Sequence, residues 1–165
     1  MSLSKPKKPE GEDASDPARI RAVALRLLVR REHSVQEITS KLTSRGYQRE
    51  AVATVVAVLA AENLLSDTRF VEEFVASRAR RGSGPVKIRD ELRARGVDER
   101  LVETMLMEQA ESWAANAARV RRKRFGAAPP RDYAERARQA RFLQQRGFSM
   151  DAIRAALDGD VELDE

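Results

Sequence analysis

Residues 92–106 read LRARGVDERLVETML. The same pattern occurs as LTSRGYQREAVATVV over residues 42–56 and as LQQRGFSMDAIRAAL over residues 143–157. Leu42, Leu92 and Leu143 align, as do Arg45, Arg95 and Arg146, and then Gly46, Gly96 and Gly147. An apolar side chain follows each glycine (Tyr47, Val97, Phe148). Others stand six residues beyond it (Val52, Val102, Ile153) and ten beyond it (Val56, Leu106, Leu157). Each copy therefore describes a helix that stops at a glycine, where a left-handed backbone costs least, and an amphipathic helix that follows it. A period of roughly 50 residues, met three times, predicts an all-α, extended array of three tandem three-helix repeats of helix-turn-helix type. Each repeat buries its apolar face partly against its neighbours.

The punctuation between these copies places the remaining helices. Asp16-Pro17 sets a cap acceptor before a proline at the first helical position, and Ser34 with Glu37 has capping-box spacing. The first repeat, residues 17–66, is predicted to hold helices over 17–31, 34–45 and 49–62. The second, 67–111, holds them over 67–81, 85–95 and 98–111, with the turn GSGP between the first two. The third, 112–157, holds them over 112–125, 131–146 and 150–157, with a rigid Ala-Ala-Pro-Pro break after the first. Residues 1–16 are expected to be a disordered tail and residues 158–165 an acidic one. Spacing assigns Leu25, Leu28, Val29, Ile38 and Leu42 to the first core, and Ile88, Leu92, Leu101 and Met105 to the second. Phe70, Phe74, Trp113, Phe142 and Phe148 fall at helical spacing and are read as core, not as a stacking platform.

Composition excludes several classes of function. The chain has no cysteine, which rules out disulfides and thiolate metal sites and fits a reducing cytoplasm. No apolar run approaches the roughly 20 residues that cross a bilayer, so no membrane partner is expected. His33 is the only histidine and falls in a turn, where a turn or capping role is expected. The glycines of GSGP lack the following Gly-Lys-Ser or Gly-Lys-Thr of a phosphate-binding loop. Carboxylates such as Glu72-Glu73 and Asp90-Glu91 alternate with bases, as on solvated helix faces. No catalytic, metal or cofactor site is predicted, and the chain is read as a non-enzyme.

Charge is distributed unevenly. Lys and Arg against Asp and Glu number 8 to 4 over residues 17–66, 9 to 10 over 67–112, and 10 to 2 over 113–146. The closing DGDVELDE holds five acids and no base. Two basic clusters stand out as a partner- or DNA-binding surface. One comprises Arg78, Arg80, Arg81, Lys87, Arg89, Arg93 and Arg95 around the GSGP corner. The other comprises Arg119, Arg121, Arg122, Lys123 and Arg124, joined by Arg131, Arg136, Arg138 and Arg141. Guanidinium forks match phosphate and carboxylate alike, so nucleic acid and an acidic protein surface both remain open as targets. No helix carries the Asn, Gln and Arg mix of base-edge readout, so any DNA contact is expected to be weak and without sequence choice.

The run SRARRGSGPVKIRDELRARGVDERLVE from Ser77 resembles the signature of the RecX family, bacterial regulators of the RecA recombinase. RFLQQRGFSMDAIRAAL resembles that family's C-terminal ending. ALRLLVRREHSVQEITSKLTSRGY and ENLLSDTRFVEEFVASRA are similar to its first module and the passage into the second. The resemblance spans residues 19–157 and rests on Ser77, Arg78, Gly82, Gly84, Pro85, Ile88, Glu91, Leu92 and Gly96, most of which set shape. Ser66-Asp67 stands where two acids are expected, and the acidic tail lies outside the pattern. The resemblance implies a curved, elongated array that binds the RecA filament on DNA; the chain itself is expected to be a monomer. It implies lowered ATP hydrolysis, strand exchange and co-protease activity in DNA repair and the SOS response, with some affinity for single- and double-stranded DNA. The alternative is a nonspecific DNA-binding protein that acts by coating DNA.

Overall fold

The computed structural model describes residues 9–159. Among them are nine α-helices, one short 3-10 turn and no strand. The helices are α1 (Pro17–Leu28), α2 (Val35–Ser44), α3 (Arg49–Ala61), α4 (Asp67–Arg80), α5 (Pro85–Arg93), α6 (Glu99–Glu108), α7 (Ala110–Phe125), α8 (Tyr133–Gln145) and α9 (Met150–Asp158). They fall three to a repeat, in the order that the sequence predicts.

The caps form as read. Asp16 accepts from the Ala18 amide at 2.9 Å, and Ser34 accepts from the Glu37 amide at 3.0 Å. Asp98, Asp132 and Ser149 cap α6, α8 and α9 in the same way. Each satisfies an amide that the first helical turn leaves without a partner.

The chain groups into two compact units. The first runs through Phe70 and includes Arg95–Val97; the second takes Val71–Ala94 and the chain from Asp98 onward. The core of the first is Ile20, Ala24, Ile38, Leu42, Val52, Val55, Val56, Leu59 and Leu65. In the second, Val71, Val75, Ile88, Leu92, Val102, Leu106, Trp113, Val120, Leu143, Phe148, Ile153 and Leu157 are buried. The Trp113 indole N–H donates to the Leu106 carbonyl at 3.1 Å, so its polar edge is satisfied inside.

Three expectations change. Helix α1 ends at Leu28, short of residue 31; Val29 follows as its cap and is 87% exposed, while Ile20 and Ala24 supply the buried stripe. Residues Gly11–Ala14, expected as tail, form the 3-10 turn, with Ala14 buried and its carbonyl accepting from the Gln48 amide at 2.8 Å. Ordered chain thus begins before the expected boundary at residue 17. Phe70, Trp113 and Phe148 are buried as expected, but Phe74 and Phe142 are only half-buried. Residues 1–8 of the expected tail and 160–165 of the acidic tail lie outside the described residues.

His33 occupies the turn before α2, with Nδ1 3.0 Å from the Arg31 carbonyl, which can only accept; Nδ1 therefore carries the proton. Burial pushes its pKa below the usual histidine value, outweighing the Arg31 hydrogen bond and the nearby Glu37, which raise it. The unfolded chain takes up this proton near pH 6.5 while the folded chain resists it, so stability declines as pH falls below about 6.5. Urea unfolding is expected to lose at most about 1.4 kcal/mol per pH unit there from this group, and His33→Gln is expected to flatten that slope. An unchanged slope in the variant would remove His33 as its source.

Candidate functional site

The repeated Arg-Gly pair has a structural task. In the second unit the Arg146 carbonyl accepts from the Gly84 amide at 2.7 Å, and the Gly147 carbonyl accepts from the Val86 amide at 3.0 Å. Gly84 is the N-cap of α5 and Gly147 follows α8, so the motif of the third repeat plugs into the start of the second repeat's middle helix. Gly147 takes φ +86°, and a Cβ there would lie 2.6 Å from the Lys87 backbone nitrogen, so glycine is required twice over. The first unit repeats the joint: Ser34, the N-cap of α2, donates from Oγ to the Arg95 carbonyl at 3.3 Å. Arg95 and Gly96 there correspond to Arg146 and Gly147. In the second unit helix C-terminal carbonyls thus meet helix N-terminal amides, which satisfies both sets of end groups at once, whereas in the first unit a cap hydroxyl is the donor.

The joint in the second unit gathers cations. Arg119 donates to the Ala79 carbonyl at 3.1 Å and to Asn116 at 3.2 Å, while Arg146 lies over the Phe142 ring. Arg80, Arg81, Arg119, Lys123, Arg124 and Arg146 line a cavity of about 260 Å³. A second opening of about 550 Å³ lies between α7 and α8, lined by Arg124, Phe125, Glu135, Arg138, Arg141 and Phe142 among others. Phe125 and Phe142 meet edge to face at 5.3 Å, and the guanidiniums of Arg124 and Arg138 sit 5.7 and 5.5 Å from the Phe125 centroid.

The basic residues singled out from the sequence separate into three groups. In the second repeat, Arg78 pairs with Glu91 at 2.7 Å and covers Phe74, Arg93 pairs with Glu99 at 2.6 Å, and Arg89 grips Glu103 through both guanidinium edges. The Arg89 hydrogen bond holds the Glu103 carboxyl below its usual range. Much of this cluster's charge is thus answered locally. Arg95 belongs to the joint of the first unit, 3.4 Å from Glu37.

Arg121 is a correction. It is only 6% exposed, its Nε donates to the buried Gln139 at 2.8 Å, and its terminal nitrogen donates to the Ala128 carbonyl. Burial, then the neighbouring Arg122, lower its pKa. It braces α7 against α8 from inside and is not surface. Among the described residues, no ion pair engages Arg80, Arg81, Lys87, Arg122, Lys123, Arg124 or Arg141, and all are exposed. Lys87 and Arg122 line neither cavity. Arg131 and Arg138 both approach Glu135, and Arg136 pairs with Asp158 at 2.6 Å. Arg146, which lines the smaller cavity, was read from the sequence only as a landmark of the repeat.

Comparison with known proteins places this arrangement. The first, second and third three-helix domains of RecX match residues 21–59, 66–106 and 110–157 in order. The chain belongs to the RecX family. It is 48% identical over 146 residues to "Regulatory protein RecX" of Halorhodospira halophila, covering 88% of this chain and 91% of that one. It is 44% identical over 140 residues to the protein of that name from Pseudomonas fluorescens, covering 85% and 90%. The crystal structure of RecX from Lactobacillus salivarius superposes with a TM-score of 0.76 at 20% identity, over 88% of this chain and 97% of that one, which establishes the fold.

The RecX family relatives are named as regulatory proteins, not for a reaction. Among the described residues no helix is long and apolar enough to cross a membrane, and no group of three or more His, Cys, Asp or Glu could hold a metal ion. What this member of the RecX family presents instead is a dense set of exposed guanidiniums on its third repeat.

Proposed function

We propose that this chain is a non-enzymatic, mainly negative modulator of RecA recombinase. It acts in the bacterial cytoplasm as a monomer, binding the RecA filament on DNA and lowering ATP hydrolysis, strand exchange and co-protease activity in DNA repair and SOS regulation. Membership of a family of regulatory proteins supports this reading, and the six cations around the cavity between the end of α4, α7 and α8 carry it. Those side chains suit a partner that offers carboxylates or phosphates at close spacing, as a recombinase polymer on DNA does. A repeat protein also presents similar surfaces at intervals, so several weak contacts with successive subunits act together.

The test is the ATPase rate of preassembled RecA filaments on single-stranded DNA, titrated with this protein beside an unrelated single-strand-dependent ATPase. Suppression of RecA alone, at protein levels too low to coat the DNA, is the expected result. Combined Arg122→Ala, Lys123→Ala and Arg124→Ala substitution is expected to raise the half-inhibitory concentration about tenfold, equivalent to roughly 1.4 kcal/mol. Unchanged inhibition would remove this surface from the mechanism.

The same cations give the second reading, DNA coating, its support. That reading requires equal suppression of both ATPases and a log–log salt slope of roughly −0.9 per duplex phosphate contacted.

A further inference from the structure

The smaller cavity, between the end of α4 and helices α7 and α8, holds its charges differently from most of the chain. Elsewhere guanidiniums meet carboxylates, as in Arg78–Glu91, Arg89–Glu103, Arg93–Glu99 and Arg136–Asp158. Here six cations surround about 260 Å³, and among the described residues no acid lines the space. The chain has 26 acids to set against 31 bases, so a shortage of acids does not explain their exclusion from this place.

Two of the cations are held without being neutralised. Arg119 donates to the Ala79 carbonyl at 3.1 Å and to the Asn116 side chain at 3.2 Å. Arg146 lies 5.2 Å from the Phe142 centroid, with Nη1 3.5 Å from the Arg81 carbonyl. Each of these partners is uncharged, so it fixes a guanidinium in place and leaves the charge unanswered. Gly82 keeps the space beside Arg146 open: at φ +86° it has no side chain, and a Cβ there would lie 3.0 Å from Val120 and 3.4 Å from the Arg146 guanidinium. Donors fixed in advance around a hollow suit an anion, and like charges gathered without one repel each other until it arrives.

Size and charge density select the occupant. A carboxylate side chain brings one charge on a stem of its own. A double helix, stiff over about 50 nm, presents its phosphates on a convex surface. Neither puts several charges into so small a hollow. Phosphates linked to one another do, since each adds about one negative charge with no stem, and guanidinium forks match their oxygens bidentately. The volume falls below the roughly 300–1,000 Å³ of sites that enclose a drug-sized molecule, so it suits the phosphates alone.

We propose that the cavity lined by Arg80, Arg81, Arg119, Lys123, Arg124 and Arg146 binds a chain of linked phosphates, either an inorganic polyphosphate or the triphosphate of a nucleotide. Arg124 and Phe142 also line the larger opening, so a nucleoside carried on the phosphates would lie there. An occupied cavity withdraws its cations from any partner of the third repeat. That consequence rests on the reading of this face as a partner surface; the site itself does not.

The test is isothermal titration calorimetry of the full chain with inorganic tripolyphosphate, ATP and orthophosphate. It is run in metal-free buffer at about 0.1 M salt, where charges more than about 10 Å apart are largely screened. A single tripolyphosphate per chain is expected, bound at least about tenfold more tightly than orthophosphate. Tighter binding of ATP than of tripolyphosphate would identify a nucleotide site, and equal or weaker binding a site for the phosphates alone. Combined Arg119→Gln and Arg146→Gln substitution is expected to weaken tripolyphosphate at least about tenfold. Lys87→Gln with Arg122→Gln removes the same charge outside the cavity and is expected to change affinity less than about twofold. Absence of tripolyphosphate binding, several ions per chain, or equal losses in the two double variants would overturn the proposal. Amide chemical shifts of the unsubstituted protein supply a readout that no folding defect can confuse. Tripolyphosphate is expected to move Gly82, Ser83 and Val120 most, and shifts centred on Lys87 and Arg122 instead would also sink the idea. No recombinase enters these measurements, so the outcome stands whether or not the RecA reading holds.

Discussion

Gly84→Ala is expected to destabilise the protein by about 3–5 kcal/mol, far more than a methyl group at a helix N-cap ordinarily costs. The backbone there is unremarkable for alanine, at φ −89° and ψ 170°, so conformational strain contributes nothing. The cost comes from approach: a Cβ would lie 2.3 Å from both the carbonyl carbon and the oxygen of Gly147 and 2.4 Å from the Phe148 nitrogen. Backbone atoms cannot rotate away as a side chain can. The turn after α8 has to retreat, and the bonds from Gly84 to Arg146 and from Val86 to Gly147 are lost with it. Each is worth about 1 kcal/mol, and forcing packed backbone apart adds roughly 1–3 kcal/mol. Urea unfolding monitored by circular dichroism checks the magnitude, and hydrogen exchange checks the place, with the amides of Gly84, Val86 and Phe148 losing protection. A loss under about 1 kcal/mol would show that the joint gives way easily.

Arg121→Ala carries the second large effect, about 2–4 kcal/mol, while Arg122→Ala one residue away is expected to stay within about 0.5 kcal/mol. Removing the Arg121 guanidinium strands the side chain of Gln139, which is 1% exposed, and takes a donor from the Ala128 carbonyl. Replacing both partners, as Arg121→Met with Gln139→Leu, is expected to recover much of the loss, because no buried polar group is then left without a partner. Thermal unfolding of the two single variants and the double closes a cycle that isolates the coupling. Equal stability of the Arg121 and Arg122 single variants would mean that the brace contributes little. The functional experiment has to spare Arg121, since a variant lacking it loses activity through instability whatever the surface does.

These two residues also mark where sequence reading succeeds and where it stops. Glycine positions, caps and the threefold period are local signals, so Gly46, Gly96 and Gly147 were legible, and so was Ser34 with Glu37. What Gly147 touches was not legible, because nothing near it in sequence names Gly84, 63 residues earlier. Arg121 was hidden by its neighbours: RVRRKR reads as one basic run. The signal that separates it was present, since Ala117, Arg121 and Phe125 stand four apart and share one helix face. Pairings such as Arg78–Glu91 and Arg89–Glu103 join residues 13 and 14 positions apart, beyond the reach of helical periodicity. For that reason the basic cluster around GSGP reads as more freely cationic in sequence than it is in space.

The joint formed by the Arg-Gly motif has a direction. A repeat offers carbonyls from the end of its middle helix and receives them at the start of that helix, so units add in one order only. At the middle helix of the third repeat, α8, the receiving end has a different chemistry. Pro129 and Pro130 precede it and carry no N–H, the Asp132 carboxylate takes the Glu135 amide at 2.8 Å, and Glu135 takes the Arg131 amide at 2.9 Å. The amides that receive at α5 are those of Gly84 and Val86, and their counterparts at α8 belong to Asp132 and Ala134, so a carboxylate stands at the cap where α5 has a bare glycine. That charge would repel an incoming carbonyl, and an engineer wishing to lengthen the series would begin by replacing Asp132.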